Sequence, residues 1–62
     1  GREIYHFTLY DETGQKVDEF DLHKKWENNL DVENGPDTLY TYRDEEITQE
    51  EYDNIRIKLL GY

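Results

Sequence analysis

The sequence predicts an α+β domain, a small three-stranded antiparallel sheet packed by a C-terminal helix, with a short second helix over residues 22–30. Three observations carry this. Residues 3–10, Glu-Ile-Tyr-His-Phe-Thr-Leu-Tyr, are aromatic and β-branched, as strands are, and a turn follows them at Asp11-Glu12-Thr13-Gly14. Thr48-Gln49-Glu50-Glu51 is a capping box, in which the Thr hydroxyl and the Glu carboxylate each satisfy a backbone amide. Gly61 sits where a helix ends in the left-handed conformation.

In chain order, residues 3–10 form the first strand and residues 15–22 the returning one. Gly14 takes the left-handed conformation that closes a four-residue loop. If Asp11 to Gly14 is the whole loop, Tyr10 opposes Gln15 and Tyr5 opposes Phe20. Tyr5, Phe7, Leu9, Phe20 and Leu22 then share one face, and His6, Thr8, Tyr10, Val17, Glu19 and Asp21 the other. A slip of one residue would mix the two sets. Leu22, Trp26 and Leu30 at i, i+4, i+8 fit the short helix, which Asp21 could cap, although Asn28 and Asn29 weaken it. Asn34-Gly35-Pro36-Asp37 breaks the chain, and residues 38–43 read as the third strand. In the C-terminal helix, Tyr52, Ile55 and Leu59 line one face. The expected core is Tyr5, Phe7, Leu9, Phe20, Leu22, Trp26, Leu39, Tyr52, Ile55 and Leu59.

Sixty-two residues suffice for one domain, residues 1–62, and one core. Six Tyr, two Phe and Trp26 supply large buried area with few rotors, which an acidic disordered segment would lack. No apolar run approaches a membrane span, and the first residues are no signal peptide. Without Cys there is no disulfide framework, so a cytoplasmic location is expected for so small a domain. Sixteen acids against seven bases give a formal charge of −9, which repels nucleic acid and anionic membranes and favours a basic partner surface.

Catalysis has little to work with. The chain has neither Cys nor Ser, so no Cys–His or Ser–His–Asp arrangement can form, and four isolated Gly residues make no phosphate cradle. Asp31-Val32-Glu33-Asn34-Gly35 begins like a calcium loop, but that motif requires Gly sixth and Glu twelfth, where Pro36 and Tyr42 stand. His6 and His23 lack zinc-ligand spacing. No enzymatic activity, cofactor or metal is expected.

Acid placement is more informative. Asp44, Glu45, Glu46, Glu50, Glu51 and Asp53 put six acids in ten residues with no base among them. The helix dipole accounts for those of the first turn but not for Asp44 to Glu46 just upstream. Glu19 and Asp21 form a second pair, two strand residues or about 6.6 Å apart. Acids at such spacings can imitate a phosphate backbone, or simply solvate the surface. Ile57 lies on the helix nearly opposite Tyr52 and Leu59, an apolar residue between acids, as at a binding surface.

The stretch Ile-Thr-Gln-Glu-Glu-Tyr, ending in Leu-Leu-Gly, resembles the end of the short C-terminal oligomerisation domains of many bacterial proteins. Those domains are helical throughout, whereas strand signals precede the helix here, so the resemblance implies nothing for the rest of the chain. In size and charge the chain is similar to phage and mobile-element inhibitors of host DNA-processing or defence enzymes. The expected function is that of a non-enzymatic acidic inhibitor, a nucleic-acid mimic that occupies a basic, nucleic-acid-binding surface of a partner protein. Its candidate contacts are Glu19, Asp21, Asp44, Glu45, Glu46, Glu50, Asp53 and Ile57. The alternative is a generic interaction or oligomerisation module, a homodimer included, whose acidity serves only solubility. In that case the helix or the sheet edge would be the interface.

Overall fold

The computed structural model describes residues 1–27 and 33–62. Its elements are β1 (Arg2–Tyr10), β2 (Lys16–Lys25), β3 (Leu39–Tyr42), β4 (Glu45–Ile47) and α1 (Gln49–Leu60). The strands form one antiparallel sheet of order β1-β2-β3-β4. The α+β class stands, but the sheet has four strands and not three. The second helix expected at residues 22–30 is absent from their described part. Leu22 to Lys25 belong to β2, and residues 28–30 lie outside the described residues.

The β1–β2 hairpin keeps the expected faces but not the expected register. Phe7, not Tyr5, opposes Phe20, and Tyr5 opposes Leu22. A turn forms at Asp11–Gly14, with the Gly14 N–H donating to the Asp11 carbonyl and Gly14 at φ 85°, but the loop takes in Gln15 as well and so has five residues, not the expected four. The Asp11 carboxylate accepts from the Thr13 hydroxyl and from the amides of Thr13 and Gln15. Beyond the turn, Tyr10 opposes Lys16, and an irregularity between Leu9 and Tyr10 slips the register again. The total displacement is two residues. Because strand side chains alternate with period two, a slip of two leaves the paired residues from Asp18 to Leu22 on their predicted faces.

The fourth strand comes from a tight turn at Arg43-Asp44. Tyr42 opposes Glu45, and both intervening residues have positive φ, 53° and 67°, the signature of a two-residue type I′ hairpin. Asp tolerates that conformation, whereas Arg does so only when other contacts hold it. Arg43 has them. Its amide donates to the Asp21 carbonyl, its guanidinium donates twice to Asp18, and it stacks 4.0 Å from the Phe20 ring centre.

α1 begins at the predicted capping box, with Thr48 Oγ1 accepting from the Glu51 amide and Glu51 accepting from the Thr48 amide. It ends at Gly61, φ 87°, whose amide donates to the Ile57 carbonyl. The helix packs on the face of the sheet that carries Leu22, Lys24 and Tyr40. Tyr52 is fully buried there, 5.2 Å from the Tyr40 ring, and its hydroxyl donates to Glu3. Leu22, Tyr40 and Tyr52 make the core, with Tyr5, Phe7, Tyr42, Ile47 and Ile55 packed against it.

This core is shorter than the predicted one. Leu9, Leu39 and Leu59 are exposed, and Trp26 is only half-buried. The reason is the length of the elements. β3 pairs only with Leu22 to Lys25, so the far half of the hairpin projects past the helix and leaves Leu9 in water. Leu39 falls on the uncovered face, because its neighbour Tyr40 points to the helix. A 12-residue helix spans about 18 Å and the four-residue β3 about 13 Å, so the last turn, with Leu59, outruns its support.

Candidate acidic binding surface

The hairpin parity that fixes the core also fixes what the uncovered face presents. On it stand Arg2, Ile4, His6 and Thr8 of β1, with Glu19, Asp21, His23 and Lys25 of β2 beside them. His6 lies between the two acids. Its Nδ1 is 2.5 Å from Asp21 and its Nε2 2.8 Å from Glu19. A carboxylate only accepts, so both contacts are satisfied together only by the doubly protonated ring. The hydrogen bonds that His6 donates, first to Asp21 and then to Glu19, raise its pKa above the ordinary value. Lys16 also donates to Glu19, and Lys16 and His6 together lower the Glu19 pKa. His23 is the opposite case: burial, with Arg2 and Lys25 nearby, lowers its pKa.

The Arg43-Asp44 turn brings Asp44 to the same place. His6, Glu19, Phe20, Asp21, Arg43 and Asp44 line one open depression of about 400 Å³. The structure thus joins Glu19 and Asp21 with Asp44, residues far apart in the chain. Much of this charge is already answered. Arg43 pairs with Asp18 at 2.8 Å and lowers the Asp18 pKa, and Lys16 and His6 hold Glu19.

The unanswered charge lies further along the chain. Asp44, Glu45, Glu46 and Glu50 are exposed, and among the described residues none of them has an ion pair or a side-chain hydrogen bond. They follow one another from the turn, along the edge strand β4, to the first turn of α1. Four of the seven bases, Lys16, Lys24, Arg43 and Arg56, are meanwhile held in ion pairs. Asp53 stands apart from this strip, 3.7 Å from Arg56. Ile57, 52% exposed, is also on the helix, which occupies the sheet face opposite Glu19 and Asp21. The eight candidate residues therefore divide between two layers.

No family model matches this chain, and no curated protein or solved structure matches it either.

Two contributors escaped the sequence reading. The sequence puts His6 on the face of Glu19 and Asp21, and that parity is the signal for its bridging role. Arg43 gave no such signal, because its contacts to Asp18, Phe20 and Asp21 depend on a turn of unusual composition. Among the described residues no group of three or more His, Asp or Glu is placed to hold a metal ion, and no helix is long and apolar enough to cross a membrane.

Proposed function

We propose that this chain is a non-enzymatic acidic binding protein. Its strip Asp44-Glu45-Glu46 and Glu50 occupies a basic, nucleic-acid-binding surface of a partner protein in place of phosphates. One observation carries the reading: the bases are largely consumed in internal ion pairs, while these four acids stay open along one edge. Paired acids would have to exchange one partner for another, whereas open carboxylates lose only water and counterions. Glu19, Asp21 and Asp44 extend the acidic surface around the turn. The His6 bridge between Glu19 and Asp21 makes that extension less negative when the ring is protonated.

The test is capture from a host lysate on immobilised protein, with duplex DNA as competitor. The expected result is retention of nucleic-acid-binding proteins, release by DNA and by salt, and loss of capture when Asp44, Glu45, Glu46 and Glu50 are all changed to their amides. In purified form, the amide variant should associate more slowly while dissociating at a similar rate, since peripheral charges act mainly through steering. Retention indifferent to DNA, salt and the four substitutions would sink the proposal. It would leave the plain interaction module, with acidity serving solubility.

A further inference from the structure

We infer that β1 is a self-pairing edge, and that two copies of this chain join antiparallel through it into one continuous eight-stranded sheet. β1 is an end strand of the sheet, and among the described residues no strand pairs with its outer side. Gly1 and Trp26 exchange backbone hydrogen bonds, which sets the alternation along the hairpin. Residues 3, 5, 7 and 9 turn their N–H and C=O groups toward β2. Arg2, Ile4, His6 and Thr8 turn theirs outward. The nine-residue strand thus presents a row of donors and acceptors with no proline or lysine to blunt it.

Charge placement argues for a second copy as the occupant. β1 contains one acid, Glu3, and one full base, Arg2, so the whole formal charge of −9 lies elsewhere in the chain. The open acids from Asp44 to Glu50 sit at the opposite edge of the sheet. Pairing through β1 puts the two acidic strips at the far ends of the joined sheet, about 34 Å apart at 4.8 Å per strand. Pairing through the other edge, β4, would bring them together. The helices do not interfere, because α1 packs mainly on β3. On the helix side, half-buried Tyr5 gains an apolar neighbour from the second β1.

The register follows from the same residues. Only even-numbered residues offer outward hydrogen bonds, so even must oppose even. Opposing His6 to itself, or Arg2 to His6, sets like charges face to face. Opposing Ile4 to His6 and Arg2 to Thr8 avoids both, and places the two Tyr5 side chains beside each other on the two-fold axis.

Sedimentation equilibrium of the pure protein tests this. The mass should rise with concentration from 7.6 kDa toward twice that value. Added salt should favour the dimer by screening the acidic strips, the reverse of its effect on binding to a basic partner, so the two proposals can fail separately. Ile4→Pro removes only an outward N–H, and Ile4→Lys places a charge on the seam; both should stay at the monomer mass with an unchanged circular dichroism spectrum. If Ile4→Pro unfolds the chain, Ile4→Lys decides. An equimolar mixture of Arg2→Cys and Thr8→Cys should form a disulfide-linked pair on oxidation, and neither variant should do so alone. A wild type that remains monomeric in high salt overturns the inference and leaves the edge to another protein's strand. A dimer that survives both Ile4 substitutions places the seam elsewhere.

Discussion

Tyr52 is the side chain on which most of the small core depends, and removing it in two steps separates its ring from its hydroxyl. The ring is fully buried between Tyr40 and the Lys24 ammonium, which lies 5.3 Å from its centre. Truncating a buried aromatic costs about 3–5 kcal/mol. The hydroxyl donates to Glu3 at 3.0 Å, and burial together with that carboxylate raises the Tyr52 pKa. A hydrogen bond to a charged group contributes about 1.5–3 kcal/mol, and the lower end applies because half-buried Glu3 regains water when its donor is lost. Sixty-two residues at about 0.05–0.15 kcal/mol each give a total stability of about 3–9 kcal/mol. Tyr52→Phe should therefore stay folded with a loss of about 1.5 kcal/mol, whereas Tyr52→Ala should lose about 3–5 kcal/mol, roughly half or more of the total, and unfold at far lower urea. Urea unfolding followed by Trp26 fluorescence and circular dichroism measures both. A double-mutant cycle with Glu3→Gln should assign most of the Tyr52→Phe loss to the pair. If Tyr52→Ala unfolds at the wild-type urea concentration, or the cycle shows no coupling, this account of the core is wrong.

Three further outcomes are expected. Thr48→Ala should cost about 0.5–2 kcal/mol in the same urea assay with helix content retained, because only the cap is lost. Arg43→Gly should be less destabilising than Arg43→Ala: both lose the Asp18 pair and the Phe20 stack, but Gly relaxes the positive φ; the opposite order would show that the turn carries no strain. His6 should titrate above 6.5 by NMR, and Asp21→Asn should bring it down. Since its folded pKa is raised, the bridge stabilises the fold fully below the unfolded value of about 6.5 and loses that effect as pH rises through the folded pKa. Stability in wild type but not in His6→Gln should therefore fall over that interval.

The sequence by itself determined the features written in neighbouring residues. The Asp11–Gly14 turn, the Thr48 cap and the Gly61 stop are local hydrogen-bond and φ requirements, and all three formed where the residues placed them. Strand parity was legible too, because alternation with period two survives a register slip of two. That is why His6, Glu19 and Asp21 share a face although their predicted pairing was displaced. The rest was decided by tertiary contacts. Leu22 and Trp26 at helical spacing read as a helix, yet Leu22 extends β2, where pairing with β1 and β3 and burial under Tyr52 outweigh local preference. β4 was illegible because Arg43 has no intrinsic preference for positive φ, and Asp18, Phe20 and the Asp21 carbonyl hold it there from another hairpin. Lys24 shows the same limit. Nothing in a charged residue foretells that it will be only 3% exposed, under Tyr52 and paired to Glu33, because burial of a charge depends on which partners the fold brings to it.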